Sequence, residues 1–283
     1  MATAQSTSRP DLPPPGRPPR RRRRWPWVTA LGVLAVLALG AGAALVWLFD
    51  DDSPPAVSLE AATAALASST TEGEADAATT TAAAQGAPAA STPAPASSGI
   101  AGAWAVDTSL GTFDYEAATG SFAGFRIAEE LRGIGSATAV GRTPAVSGAL
   151  TIEGTTLRAA TVEADMTALT TNDSRRDDRA LGALEVQQFP TANFVLTQPI
   201  ELGEAAASGS PVEVTAMGDL TIHGVARPVQ LPLQAQLSGE TIVVVGSLPI
   251  TFSDYGVETP SAQIVLSVED HGVMEVQLLF TRQ

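Results

Sequence analysis

From Trp104 to the end of the chain, apolar and polar positions alternate with a period of two, as in strands that bury one face. The alternation is clearest over 212–222, where even positions are apolar or small, and over 229–237, where odd positions are apolar. Residues 223–227 lie between these runs, which predicts a hairpin. Further runs predict strands at 103–107, 112–115, 125–131, 148–153, 157–167, 191–197, 241–251, 262–268 and 273–280, with turns at 154–155 and 270–272.

One segment of this region follows a helical pattern instead. Asn172 or Asp173 can cap the N-terminus of a helix, and apolar residues at 180, 181, 184 and 186 form a helical stripe that ends before Pro190. About eight to ten antiparallel strands and one helical insertion predict an all-β domain over 103–283. A closed barrel and a sandwich both fit this pattern.

A different pattern precedes this domain. The arginine run Arg20–Arg24 is followed by an uncharged stretch from Trp27 to Phe49 and then by Asp50–Asp52. The 23 uncharged residues would span about 34 Å as a helix, enough to cross a hydrocarbon core of ~30 Å. Arginines stay on the cytoplasmic side of a membrane helix. We therefore predict a basic cytoplasmic tail over 1–24, a transmembrane helix over 25–49 and an extracytoplasmic location for the rest.

Two other interpretations of this N-terminal region remain. A cleaved signal peptide would use Val28–Leu39 as its apolar stretch and Ala41–Ala43 as its cleavage site. The apolar run continues beyond that site to Phe49, which favours a retained single-pass anchor in the cell membrane. A soluble protein with one buried helix is the third interpretation.

Residues 50–102 are rich in Ala, Ser, Thr, Pro and Gly and contain no aromatic residue. Such a stretch cannot bury enough apolar surface to offset the entropy lost on ordering. We therefore predict a disordered linker, with Leu59–Leu66 as the one stretch that could form a short helix.

Charge and composition narrow the chemistry. The net charge is −14, and residues 101–283 carry 22 acidic residues against nine arginines, so we expect no nucleic-acid partner. The chain has no cysteine and two histidines, His223 and His271, neither with a second ligand at zinc spacing. Motifs of nucleophilic catalysis and phosphate binding are also missing from the sequence. We therefore predict a protein that is not an enzyme, with no metal and no catalytic residue.

Four motifs follow one another in the domain. Trp104-Ala-Val-Asp107 opens it, and Arg176-Asp177 precedes Phe189-Pro190. Gly218-Asp-Leu-Thr-Ile-His-Gly-Val-Ala-Arg-Pro-Val229 is the most specific, and Asp254-Tyr-Gly256 comes last. Together these residues resemble the YceI-like family over about 104–283. Many members of that family have a histidine soon after the first strand, where this chain has Arg126–Leu131.

The resemblance implies a single antiparallel up-and-down β-barrel of about eight strands, similar to lipocalins, with an apolar channel for polyisoprenoid chains. An apolar tunnel can hold such a chain without polar contacts. We therefore expect a membrane-tethered bacterial carrier or sensor of an isoprenoid-type lipid, such as a quinone or a polyprenyl phosphate. The candidate channel residues are Phe113, Phe125, Ile127, Val162, Met166, Phe194, Leu196, Val214, Leu220, Leu231, Leu233, Leu248, Leu266, Val276 and Leu278.

Two other functions stay open on the sequence. The barrel could have a solid core and act as a structural or protein-interaction module of the cell envelope. An enzyme could use His223 together with Asp219 or Arg227. Small residues such as Ala160, Ala164, Ala216 and Gly218, which share a face with larger apolar residues, could leave room inside or simply pack a solid core. The resemblance to the family favours the tunnel.

Overall fold

The computed structural model describes residues 53–283, apart from 78–98, 114, 116–117, 132–134, 259–264 and 269. The predicted cytoplasmic tail (1–24) and transmembrane helix (25–49) lie outside the described residues. Within the described part of the chain, no helix is long and apolar enough to cross a membrane.

Strands dominate the described residues, as the alternating pattern predicts. They are β1 (Gly102–Val106), β2 (Phe122–Leu131), β3 (Gly135–Thr143), β4 (Val146–Glu153), β5 (Thr156–Asp165), β6 (Thr170–Thr171), β7 (Thr191–Leu196), β8 (Ile200–Glu201), β9 (Val212–Ile222), β10 (Val225–Ser238), β11 (Thr241–Thr251), β12 (Val265–Val268) and β13 (His271–Arg282).

Eight of these strands form a closed antiparallel ring in the order β1, β4, β5, β7, β9, β10, β11, β13. The ring closes because β13 pairs with β11 on one side and with β1 on the other. The predicted all-β fold with an eight-stranded antiparallel barrel is therefore confirmed.

A second group of strands branches from the ring at β13. Residues 280–282 of β13 pair with β1, whereas residues 273–277 pair with β2. The β2–β3 hairpin extends from this branch, with β6 added to β3 and β12 added to β2. The outward face of β13 is thus covered by further structure rather than by solvent.

The helices are α1 (Leu59–Ala77), α2 (Ser174–Ala183) and α3 (Gly203–Ala207), with 3₁₀ helices at Met166–Ala168 and Phe252–Tyr255. Helix α2 is the predicted insertion, and Asp173 caps it by accepting a hydrogen bond from the Arg175 amide. It ends at Ala183, earlier than predicted, because Glu185 adopts a left-handed φ of 45°.

Two sequence predictions differ from the structure. Residues 59–77 of the predicted linker form α1, so the short helix considered at Leu59–Leu66 is present and extends to Ala77. The reason is tertiary packing, because Leu59, Ala62 and Leu66 are buried against β11 and β13. The strand predicted at 112–115 is also absent from the described residues there, where 112 and 113 have no regular structure and 115 lies in a bend.

Candidate functional site

The barrel interior contains an apolar cavity of about 140 Å³. Among its lining residues, only Asn193 and Gln236 carry polar side chains. Most of the aliphatic side chains come from seven strands of the ring, because every second residue of a barrel strand points inward. An interior of this kind favours an apolar guest over water.

Small residues create the space in this cavity. Ala160 and Ala164 on β5 and Ala216 on β9 are buried and line the cavity wall. Gly218, also on β9, acts differently, because a Cβ atom there would lie 2.3 Å from Cζ of Phe194. It therefore lets the Phe194 ring lie flat against the wall instead of adding free volume.

The structure places nine of the fifteen predicted channel residues on the cavity wall. They are Val162, Phe194, Leu196, Val214, Leu220, Leu231, Leu233, Val276 and Leu278. All nine lie on ring strands, where the phase of the alternation determines which side chains point inward. Their contact with a ligand stays a prediction.

Two of the other six predicted residues are aromatic and lie on the branch side. Phe113 makes edge contacts with Tyr115 and Phe122, at ring-centroid distances of 6.2 and 6.5 Å. The Phe125 ring packs on Gly141 of β3. Neither is among the residues that line the cavity, although Ala123, also on β2, is one of them.

Of the remaining four predicted residues, three are not among the lining residues, and the side chain of the fourth lies outside the described part. Ile127 and Leu248 pack on the apolar cluster around Phe252 and Tyr255. Met166 follows the end of β5, where Asp165 accepts a hydrogen bond from the Thr167 amide and starts a 3₁₀ helix. Leu266 lies on β12, and its side chain is outside the described part.

Sequence reasoning missed the residues that close one end of the cavity. Ile100, Leu202 and Ala206 line it from outside the strands. Ile100 is held by Trp104, whose indole Nε1 donates to the Ile100 carbonyl at 2.8 Å. No period-two pattern covers these residues, so only the tertiary structure brings them to the cavity.

The opposite end of the barrel carries His223. It begins the two-residue turn between β9 and β10, with a φ of 53°. Its Nδ1 lies 3.2 Å from the Tyr255 carbonyl oxygen, its Nε2 lies 3.4 Å from Glu185, and its ring packs edge-on against Phe189. His223 therefore joins a turn, the end of α2 and the 252–255 helix.

These contacts do not assemble the catalytic group that the sequence left open. Arg227 donates to the Asp254 carbonyl at 2.8 Å. Asp219 is exposed on β9, opposite Pro228. Within the described residues, no group of three or more His, Asp or Glu residues could hold a metal ion.

A cluster of buried charged side chains lies on the outer face of the barrel wall, on the side away from the cavity. Glu275 of β13 is 1 % exposed, and its carboxylate lies 2.7 Å from Arg126 Nε and 3.7 Å from Arg142 Nη2. Burial lowers the pKa of the Arg142 guanidinium from its ordinary value, and the Glu275 charge opposes that shift. The Arg142 guanidinium also lies 4.5 Å from the centre of the Phe122 ring.

Residues 54–66, here called the N-terminal strap, cover this outer cluster. The carbonyl oxygens of Pro54 and Pro55 accept hydrogen bonds from Arg126 and Arg142, respectively. The Val57 amide donates to Glu275 at 3.4 Å. The strap therefore supplies polar partners that the barrel itself does not provide for these buried charges.

Comparison with known protein families identifies the domain that forms the barrel. The sequence model of the YceI-like domain matches residues 104–280. No curated protein matches the chain.

Solved structures with partial similarity include three bacterial proteins. One is a polyisoprenoid-binding domain from Saccharophagus degradans, with 18% identity and a TM-score of 0.47, covering 64% of this chain and 98% of that one. Burkholderia cenocepacia BcnA has 21% identity and a TM-score of 0.45, covering 62% and 98%. A Campylobacter jejuni YceI protein has 16% identity and a TM-score of 0.42, covering 50% and 84%. The family assignment rests on the domain match.

Proposed function

Because the chain belongs to the YceI-like domain family, we propose that its barrel is a binding protein that holds one long apolar lipid chain of the isoprenoid type. The apolar cavity of about 140 Å³ carries this proposal. Each CH₂-sized group that leaves water for such a cavity contributes about 0.8 kcal/mol. A chain of several isoprene units therefore needs no strong polar contact to bind.

The cavity wall contains two polar side chains that a head group could meet, Asn193 and Gln236. Gln236 lies near the α3 end, where its amide donates to the Gly209 carbonyl at 3.1 Å. Asn193 lies on β7, beside Phe194. A quinone or phosphate head group would prefer a polar or solvent-exposed end, whereas the aliphatic tail would occupy the apolar middle.

The N-terminal sequence supports a location for this activity. An arginine run, an uncharged stretch long enough for a bilayer and three aspartates favour a single-pass anchor in the cell membrane, with the barrel outside the cytoplasm. A tethered barrel would have a high local concentration beside its lipid source. Carrier and sensor are both roles that such a binding protein could serve.

Native mass spectrometry of the full chain, released from detergent micelles, tests lipid binding. We expect one lipid per chain, with a fragment mass that identifies a quinone or a polyprenyl phosphate. Ala160→Phe and Ala216→Phe should reduce the bound fraction, because both fill the cavity. Thr161→Phe is the control, because Thr161 is exposed on the same strand as Ala160.

A folded wild-type barrel that carries no lipid, and that stays empty when farnesol is added, would contradict the proposal. That outcome would favour the alternative function, a protein-interaction module of the envelope. Equal lipid loading of wild type and both cavity-filling variants would show that the lipid binds elsewhere.

A further inference from the structure

The barrel wall has a seam between β10 and β11 where the hydrogen-bonded ladder stops. The ladder runs from Ser238↔Thr241 to Leu233↔Gly246. Beyond it, residues 225–232 of β10 pair with β9, and residues 247–251 of β11 pair with β13. In this stretch β10 remains paired with β9, and β11 remains paired with β13. The edges of β10 and β11 that face each other form no ladder pairs in the described structure.

The direction of the backbone groups along this seam follows from the two hairpins. Two-residue turns at 223–224 and 239–240 make Ile222↔Val225 and Ser238↔Thr241 hydrogen-bonded pairs. Since hydrogen-bonded pairs alternate, even-numbered residues of β10 and odd-numbered residues of β11 face each other across the seam.

Prolines explain why the ladder ends. Continued pairing would need hydrogen-bonded pairs 232–247, 230–249 and 228–251, by the same alternation. Each pair contains one proline, namely Pro232, Pro249 or Pro228. Proline has no N–H to donate, and its ring crowds the neighbouring strand. The three prolines thus prevent β10 and β11 from pairing in this part of the wall.

Side chains alone close the seam from within. Leu231 of β10 and Ile250 of β11 are buried in one apolar cluster, with Val229 and Leu248 packed against it. At the far end, Arg227 and the 252–255 helix tie the start of β10 to the residues after β11. The unpaired stretch is therefore bounded, by the β10–β11 ladder at one end and by the Arg227–Asp254 contact at the other.

An outer groove of about 510 Å³ lies where β10 and β11 begin to separate. Pro232, Gly246 and Ser247 line it, and Val57 of the strap lies at its rim. Val214 and Leu233 line both this groove and the inner cavity. These two residues thus border both spaces at this point of the wall.

We propose that the lipid chain enters and leaves the cavity sideways, by local separation of β10 and β11 along this seam. Opening there disrupts apolar packing but breaks no ladder hydrogen bonds, whereas separating β9 from β10, β11 from β13 or the paired ends of β10 and β11 breaks several. This inference rests on the proposed lipid-binding function.

Restoring hydrogen-bond donors to the seam tests the gate. Pro232→Val with Pro249→Val supplies two N–H groups that face the opposite strand. The matched control is Pro199→Val with Pro211→Val, because both of these prolines are exposed and lie outside the seam. The full chain in phosphatidylcholine nanodiscs is loaded with anthraniloyl farnesol, and stopped-flow fluorescence measures uptake and release.

A gate changes the barrier but not the bound state. We expect the seam variant to slow uptake and release by about tenfold each, with Kd unchanged within about twofold. The control variant should match wild type. Unchanged rates, or a changed Kd with unchanged uptake, would overturn the proposal.

A second variant changes the gate in the opposite direction. Leu248→Ala removes packing across the seam and should speed both rates, whereas Leu184→Ala, from the same cluster but outside the seam, should not. Equal effects of the two substitutions would count against the gate. This pair also decides the question if the proline variant does not fold.

Hydrogen exchange separates failure of the gate from failure of lipid binding. In the wild-type protein, the amides of Gln230, Ser247 and Thr251 face the seam and should exchange faster than those of Gln234 and Val245 on the ladder. If the probe does not bind, the proposed function fails for this lipid while the seam can still open. Equal protection of both sets would refute the seam itself.

Discussion

Replacement of Glu275 with alanine would remove the carboxylate that contacts both Arg126 and Arg142. The Glu275 side chain is 2% exposed and that of Arg142 is 3% exposed, so neither guanidinium–carboxylate contact is well screened by water. Removing one partner of a buried ion pair costs about 3–5 kcal/mol, because the remaining charge is left buried. The strap would also lose the acceptor for its Val57 amide.

Urea unfolding of the full chain in a mild detergent, followed by circular dichroism, measures this loss. At a slope of about 1–3 kcal/mol per molar urea, the midpoint should fall by roughly 2 M. Glu153→Ala is the control, because Glu153 pairs with Arg158 at 3.0 Å but both side chains are at least half exposed, and it should cost at most about 1 kcal/mol. Equal midpoints for the two variants would refute the reasoning.

Three further predictions use other parts of the molecule. Leu66→Asp should release the strap and speed its proteolysis, whereas Ala64→Asp, on the exposed face of α1, should not. Gly218→Ala should lower Tm through a loss of about 1–3 kcal/mol, since its Cβ would lie 2.3 Å from the Phe194 ring; an unchanged Tm would contradict this. Burial raises the pKa of the Tyr115 phenol in the folded protein above its value of about 10 in the unfolded chain. The folded protein is therefore destabilised as the pH rises above about 10, where the unfolded chain releases this proton more readily. Unfolding titrations should show Tyr115→Phe losing less stability there than wild type.

The barrel strands could be predicted because one face of each is buried and the other is not. The bounds of β9 and β11 agree with the predicted runs 212–222 and 241–251. Strand β3 was missed because Gly135–Thr143 consists mainly of small residues, and its last five positions are all buried. Without a solvent-facing side, a strand has no alternation to detect.

The cavity-lining residues could be predicted only on the strands of the ring, where alternation along the strand shows which side chains point inward. Phase along a strand identifies Leu220 and Leu231 as inward-facing, but it does not show that the Phe125 ring packs on Gly141 of β3 instead of lining the cavity. The seam shows the same limit. Its prolines are visible in the sequence, yet their common direction appears only when the register of β10 against β11 is known.

The strap changes what counts as one cooperative folding unit. Val243, Val245, Glu275 and Leu279 lie within the residues that define the family domain, but residues 54–66, all before that domain begins, bury them. A fragment truncated at the domain boundary would expose the buried ion pair and the apolar face to water. Its free energy of unfolding would therefore differ from that of the full chain. For this chain, the residues that cover the outer face of β11 and β13 begin about 50 residues before the matched domain.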